Sequence, residues 1–336
     1  MSQEINTLSP ARVRASALAF LDETYAIKRI YGGVNNKVYL AYNKYNKIII
    51  KLCEEVNANL LDKYISERDF LLYANEVSGD YTPKLVFADD INRCLLIEYI
   101  DGQEYKDGDD TLENVLDAAV FLRQLNDDIE KAKLFLKNDA KDGFFSVSQH
   151  ILDVSNRIYS LSTEHLMPYE KKIAQTLLNR LSKKFDALKN SLEAIEYEDS
   201  NPIRCISPSD FGLHNAINRN GRPVFIDFEF AGWDDPAKTV IDFFLQPKIN
   251  ISNRYASTMM NSYVNQIDKK YLAHRINILA PVLHLKWCTI ILNVLNPNKY
   301  FQIYDVVEKK TGEDIIFNRL NLASSYIERE INFGLH

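Results

Sequence analysis

The segment SDFGLHNAINRNGRPVFIDFEFAGWDDP carries Asp210, then Asn215 five residues on, then Asp227 on the following strand-like run. Phosphoryl transfer needs these groups: one carboxylate orients the attacking hydroxyl and accepts its proton, while an amide oxygen and a second carboxylate hold the magnesium that neutralises a triphosphate. Turn chemistry supplies the geometry. Ser207-Pro208-Ser209-Asp210 turns the chain first, so that Asp210 and Asn215 fall on one side, and Asn220-Gly221-Arg222 then reverses AINR into PVFIDF, so that Asp227 returns opposite them. Taken singly, each residue has an ordinary explanation: a turn former, a loop amide, the cap of a strand end. The ordered set is what points to phosphotransfer.

A second group of residues precedes this segment. Lys51 ends the strand-like KIIIK, and Glu67 on the next helix can pair with it. Alone, the two read as a strand-end lysine and a solvated helix glutamate. Gly32-Gly33-Val34-Asn35-Asn36 lies between two strands, and the absent side chains of Gly32 and Gly33 let backbone N–H groups approach phosphate oxygens. Most GG turns are ordinary hairpins, so this motif gains weight only from the Lys51 strand that follows.

The elements that must position these residues follow from hydrophobic periodicity. Between Ala26 and Glu98, short β-branched and aromatic runs (KVYLAY, KIIIKL, CLLIEYI) are separated by turns. One helix interrupts them, with Leu60, Leu61, Tyr64, Ile65, Leu71, Leu72 and Ala74 as its apolar positions and Asp62, Lys63, Glu67 and Arg68 between. After Asp101-Gly102 the chain turns helical, with Asp110 and Glu113 as a capping pair and a later stripe of Ile173, Leu177, Leu181, Phe185, Leu188, Leu192 and Ile195. Strands followed by helices, with one β-loop embedded at 203–230, predict an α+β protein.

With these motifs in order, the chain resembles the aminoglycoside phosphotransferase and choline kinase superfamily, which shares the protein kinase fold. The resemblance covers about residues 29 to 245 and includes Asn36 and Tyr39 of a GGxxNxxY-like loop, LLIEYIDG as an interlobe hinge, and Glu229, Gly232, Trp233, Asp235 and Pro236 after Asp227. It implies a bilobal protein-kinase-like fold: a small antiparallel β lobe over residues 1–100, including the hinge, and a larger helical lobe over 101–336 carrying the catalytic and metal loops. It also implies ATP or GTP with Mg2+ as cofactors, Asp210 as catalytic base, Asn215 and Asp227 on the metal, and Gly32, Gly33, Asn36, Lys51 and Glu67 around the nucleotide. Adenine would be read by the carbonyl of Glu98 and the N–H of Ile100. Two departures stand out. Pro208-Ser209 replaces the His-Gly that usually precedes the catalytic aspartate, so bracing of the metal loop must come from elsewhere, and Thr239 stands where the family commonly has an aspartate, with Asp242 three residues later.

Composition narrows the partners. The 336 residues are 46% hydrophobic and 26% charged with a formal net charge of -6, and no basic stretch interleaved with aromatics offers a nucleic-acid surface. The N-terminal sequence lacks an apolar signal core and no stretch reads as a bilayer span, so a cytoplasmic protein is expected. Cys53, Cys94, Cys205 and Cys288 form no CxxC pair and read as buried thiols. His214 reads as a packing or bracing residue and Trp287 as core.

The expected partner is therefore a small-molecule hydroxyl compound such as an amino alcohol, aminoglycoside or sugar. A protein kinase is disfavoured because no DFG, no APE-like element and no activation segment follows Asp227, and a non-catalytic nucleotide-binding protein is the other alternative. Acidic residues at Asp101, Glu104, Asp107, Asp109 and Asp110, and again at Glu229, Asp234 and Asp235, would draw a cationic acceptor by their combined field.

Overall fold

The computed structural model describes Leu21 and residues 24–30, 37–53, 61–192, 202–263, 268–303 and 315–335. Gly32, Gly33 and Asn36 lie outside the described residues, as do Leu60 and Ile195.

An antiparallel five-stranded sheet opens the chain: β1 (Ala26–Ile30), β2 (Lys37–Tyr42), β3 (Lys47–Leu52), β4 (Leu85–Asp89) and β5 (Cys94–Glu98), in the order β1-β2-β3-β5-β4. Side-chain alternation along β3 separates core from chemistry. Ile50 and Leu52 enter a cluster with Leu21, Ala41, Cys94 and Leu96, so the intervening Lys51 points to the other face.

Helix α1 (Lys63–Val77) follows the third strand. Asp62 caps it by accepting from the N–H groups of Tyr64 and Ile65 at 3.0 and 3.1 Å, and Arg93 grips both oxygens of the same carboxylate at 2.6 and 2.9 Å. The buried face of this helix departs from the sequence expectation. Glu67 is buried and Leu72 is 43% exposed, because Tyr64, Phe70, Leu71, Tyr73 and Ala74 set the inward stripe and Glu67 lies within it.

A short strand β6 (Gln103–Glu104) follows the hinge, and then come α2 (Leu112–Asn126) and α3 (Ile129–Phe135). The cap of α2 is Thr111, whose hydroxyl accepts from the N–H of Asn114 at 3.3 Å, whereas the expected Asp110 accepts instead from the N–H of Ser252 at 3.1 Å. Next come α4 (Val147–Tyr159) and α5 (Pro168–Leu192), the latter burying Leu177, Leu181, Phe185 and Leu192 as its period predicts. The embedded β segment comprises β7 (Cys205–Ser207), the hairpin β8 (Ala216–Arg219) and β9 (Arg222–Phe225), and β10 (Gly232–Asp234). Asn220 and Gly221, both at positive φ (57° and 87°), make the tight hairpin turn that their residue types favour. The remaining helices are α6 (Pro236–Leu245), α7 (Ala256–Tyr263), α8 (Lys269–Ile291), α9 (Pro297–Ile303) and α10 (Ile315–Ile327). The architecture is the expected α+β, a sheet followed by helices.

The chain divides into two compact units, and the cut differs from the boundary expected after residue 100. One unit holds residues 1–106, 120–141 and 206–233, so the hairpin goes with the sheet; the other holds 107–119, 142–205 and 234–336. In the first unit β6 pairs with β8, and the N–H of Phe225 bonds to the carbonyl of Tyr81 at 2.8 Å. In the second, α8 is the central helix, packed by α4, α5, α6 and α10. Contrary to the sequence expectation, Lys269–Leu295 is long and apolar enough to span a bilayer, but 72% of its most apolar window is buried by its neighbours. All four cysteines are buried and form no disulfide, as expected.

The contact between hinge and hairpin requires glycine. A Cβ on Gly102 would lie 2.3 Å from the carbonyl oxygen of Asn218 and 2.7 Å from the Ile217 side chain. Gly102→Ala is therefore expected to cost about 1–3 kcal/mol as the backbone shifts to relieve the overlap. Urea denaturation checks this; an unchanged midpoint would show that the hairpin is not held at this point.

Candidate active site

The candidate phosphotransfer side chains that fall within described residues all belong to the first compact unit. Lys51 stands at its centre. Its Nζ donates to Glu67 Oε1 at 2.6 Å and to Asp227 Oδ1 at 2.8 Å, which draws β3, α1 and the loop after β9 to one point. Burial by itself would lower the lysine pKa, but the two carboxylates overcome it and raise the pKa, so Lys51 is a fixed cation. Glu67 is raised by burial, with Lys51 opposing, and its Oε2 has no hydrogen-bond partner among the described residues. Asp227 is different: its side chain is 44% exposed. Its backbone is at φ 69°, a left-handed conformation that aspartate tolerates better than most residues and that recurs at functional sites.

The second cluster is the turn from Ser207 to Asn215. Ser209, also at φ 69°, donates its N–H to the Ser207 hydroxyl at 3.0 Å. Asp210 Oδ1 lies 3.2 Å from His214 Nε2, and Asp210 Oδ2 accepts from Asn215 Nδ2 at 3.1 Å. Desolvation pushes the pKa of Asp210 upward, yet the bonds from His214 and Asn215 and the charge of Lys141 together bring it below the ordinary value. The Asp210 side chain nevertheless remains 41% exposed. It is thus an ionised carboxylate open on one side.

One backbone bond joins the clusters: the N–H of Ile226 donates to the carbonyl of Asn215 at 2.8 Å, continuing the β8–β9 pairing of Ala216 with Phe225. Asn215 and Asp227 are thereby neighbours at the open end of one hairpin. The amide nitrogen of Asn215 also donates to the Asp210 carbonyl at 2.9 Å, which leaves its side-chain oxygen as the available ligand atom.

Buried phenylalanines anchor each acidic residue. Phe211, next to Asp210, lies 4.8 Å from Phe225, which stacks on Phe121 at 5.0 Å. Phe228, next to Asp227, stacks on Phe70 of α1 at 4.5 Å. The Asp-Phe and Phe-Ile-Asp-Phe alternation was the available signal for this anchoring, and the sequence reading did not use it. Asn126, also missed, pins the approach to the turn by accepting from the Ile206 N–H at 2.6 Å and donating to its carbonyl at 3.0 Å.

The segment Leu136–Lys141 braces the loop after Asp227 through main chain. Trp233 N–H bonds to the Asn138 carbonyl at 3.1 Å, Ala140 N–H to the Trp233 carbonyl at 2.8 Å, and Lys141 N–H to the Phe230 carbonyl at 3.0 Å. The Trp233 indole reaches the Leu136 carbonyl at 2.9 Å. Gly232 fits only without a side chain, since its Cβ would sit 2.6 Å from the Asn138 oxygen. No sequence signal marked this strap, because it acts through backbone atoms of any residue type.

Three expected members of the acidic field are already neutralised. Glu229 is buried, 3.2 Å from Lys63. In the second unit, burial pushes Asp234 up to about 6 while Lys238 at 2.6 Å opposes, and Asp235 pairs with Arg275 at 2.6 Å. The expected attraction for a cationic acceptor is therefore corrected at these three residues, each of which already faces a cation of the protein. Asp242, weighed as a replacement for the family aspartate, faces Lys238 at 3.4 Å and Lys286 at 3.8 Å and accepts from the Trp287 indole at 2.7 Å. Trp287 is half-buried.

Glu98 ends β5, where its side chain accepts from Arg219 at 2.9 Å and from the N–H of Lys84 at 3.0 Å; Ile100 follows, buried. Neither side chain joins the Lys51 cluster. The donors fit a magnesium ion. Asn215 and Asp227 offer hard oxygen ligands, and Lys51 contacts only one oxygen of Asp227. Among the described residues no trio of His, Cys, Asp and Glu forms a complete protein cage. A metal here would be of the kind completed by phosphate oxygens and water.

No protein-family model matches the sequence, and no curated protein matches it. Solved structures do match its fold. A choline kinase from Cryptosporidium parvum aligns with a TM-score of 0.60 at 13% identity, over 95% of this chain and 98% of the other. The choline kinase LicA from Streptococcus pneumoniae gives 0.57 at 16%, over 94% and 97%. APH(2")-IIa in a ternary complex with streptomycin and ATP gives 0.53 at 15%, over 85% and 90%. The fold is the kinase-like α+β fold that choline kinases share with aminoglycoside phosphotransferases.

The Lys51 arrangement can be tested without a ligand. Glu67→Gln leaves a buried cation short of one partner and is expected to destabilise the protein by about 3 kcal/mol. Adding Lys51→Met should recover part of that loss, because the buried charge is then gone; fully additive losses in chemical denaturation would contradict the coupling.

Proposed function

We propose that this chain transfers the γ-phosphoryl group of ATP to a hydroxyl of a small molecule. The observation that supports it most is the Lys51 cluster: one buried ammonium held at once by a helix glutamate and by an exposed aspartate at left-handed φ, with Asn215 beside that aspartate. A buried ion pair that served stability alone would not need an open third member in a strained backbone.

In this reading Asp210 takes the proton of the acceptor hydroxyl as its oxygen bonds to the γ-phosphorus, and the bond from that phosphorus to the bridging oxygen breaks to release ADP. The turn holds the carboxylate ionised and partly exposed, ready to accept. Asn215 and Asp227 would hold Mg2+, which supplies charge neutralisation for the phosphates when bound. Lys51 meets the α- and β-phosphates, with Glu67 keeping its ammonium in place, and Gly32, Gly33 and Asn36, which lie outside the described residues, are assigned to the phosphates by the motif they form. The carbonyl of Glu98 and the N–H of Ile100 read the base. Functionally the division is nucleotide grip from residues 1–100, and catalytic and metal loops from 101–336. The acceptor is an amino alcohol, an aminoglycoside or a sugar. Fixed fields at Glu229, Asp234 and Asp235 lend no weight to a cation, since each faces a cation of the protein.

Binding comes first in the test. MgATP should raise the melting temperature by mass action, and Lys51→Ala should reduce that shift; no shift with ATP or GTP, with or without magnesium, would overturn the proposal. A shift without turnover on a panel of amino alcohols, aminoglycosides and sugars would instead favour a nucleotide-binding protein that does no chemistry.

The roles of the two aspartates separate by mutation. Asp210→Asn is expected to cut turnover by roughly 10²- to 10⁴-fold while retaining the MgATP shift, as loss of a general base does. Asp227→Ala should lose both. Equal loss of nucleotide binding in the two variants would show that the assignment is wrong.

A further inference from the structure

We propose that His214 is a positioning residue for Asp210: its Nε2–H holds one carboxylate oxygen so that the other face of the group meets the acceptor hydroxyl in a single orientation. The inference rests on the reading of Asp210 as the proton acceptor. It adds a residue that the sequence had offered only as packing or bracing.

The geometry starts from the turn. Leu213–Asn215 forms one short 3-10 turn, its first residue fully buried, and this carries His214 back over Asp210 four positions earlier. His214 Nε2 lies 3.2 Å from Asp210 Oδ1, while Asn215 Nδ2 lies 3.1 Å from Asp210 Oδ2. A carboxylate with a separate donor on each oxygen cannot rotate about its Cβ–Cγ bond without losing both. The neighbouring Phe211, fixed against Phe225, anchors the backbone but leaves that rotation free, and among the described residues it is the two donors that restrain it.

Chemistry then fixes the direction of the bond. An ionised carboxylate only accepts, so Nε2 must carry the hydrogen. Nδ1 is buried and has no hydrogen-bond partner among the described residues. A buried ring nitrogen without a partner lowers stability, and an apolar side chain of similar size would avoid the loss. Packing therefore does not account for histidine at this position. The contact with Asp210 does, because a leucine or a phenylalanine could fill the space but could not donate.

Orientation of a general base is worth rate rather than ground-state binding, and this gives the test its readout. The probe is hydrolysis of MgATP by the full chain, with water in place of the acceptor. His214→Leu should lower kcat roughly 10- to 100-fold with little change in the KM for MgATP. His214→Gln, whose amide can place an N–H near the position of Nε2, should recover most of the loss. Wild-type kcat in the leucine variant, or equal losses in both variants, would overturn the proposal. A crystal structure of His214→Leu decides it independently of activity: the Asp210 carboxylate should leave its present orientation, and an unmoved carboxylate would overturn the inference. Should wild-type protein bind MgATP but turn over neither water nor any acceptor, the reading of Asp210 fails, and the crystallographic result still decides whether His214 positions it.

Discussion

An ammonium group buried between strand, helix and loop cannot remain charged unless carboxylates meet it there, and Lys51 is such a group. Glu67 on α1 and Asp227 after β9 answer that demand at 2.6 and 2.8 Å. Three elements far apart in sequence are thereby fixed to one atom. The cap of α1 by Asp62, itself gripped by Arg93 from the turn before β5, sets where the helix begins and so where Glu67 arrives. Alternation along β3 does the same for Lys51, by committing Ile50 and Leu52 to the opposite face.

The loops around this point gain their rigidity in two ways. Aromatic stacking is one: Phe228 on Phe70 and Phe225 on Phe121 hold the residues beside Asp227 in apolar surroundings, while the carboxylate itself stays partly exposed. Main-chain bonding is the other. The strap from Leu136 to Lys141 meets Phe230 and Trp233 through backbone donors and acceptors, and Ser209 donates its hydroxyl to the Lys141 carbonyl at 3.4 Å. Pro208 stands where the resemblance leads one to expect a bracing histidine, and in this chain the strap bonds to the loop after Asp227. Two lysines also lie over the Phe230 ring, Lys141 at 4.0 Å and Lys63 at 4.9 Å, adding cation–π contacts to the same loop.

Electrostatics in the second unit follow a different logic. Asp234, Asp235, Lys238, Asp242, Arg275 and Lys286 are all buried, and each has an opposite charge within 4 Å. Such a network loses much of its stability when a single member is removed, because the remaining charge is left without a partner. It satisfies itself, and so the acidic residues in it contribute little field to an outside ligand. Counting carboxylates along a sequence overstates attraction wherever burial has already matched them with cations.

Local patterns carried much of this in the sequence itself: the strand runs, the Asn220-Gly221 turn, the α5 stripe, and the order Lys51, Glu67, Asp210, Asn215, Asp227 all depend on residue type and short spacing, which a sequence displays directly. What only the tertiary structure decided was burial and most of the partnerships. Glu67 was expected to be able to pair with Lys51, but the burial of the pair was not expected; Asp234 and Asp235 were read as available and are paired. The strap and the His214 contact were likewise invisible. Backbone hydrogen bonds leave no mark in residue identity, and the choice of which donor faces a carboxylate is made by the path of the whole chain, long after propensity and periodicity have had their say.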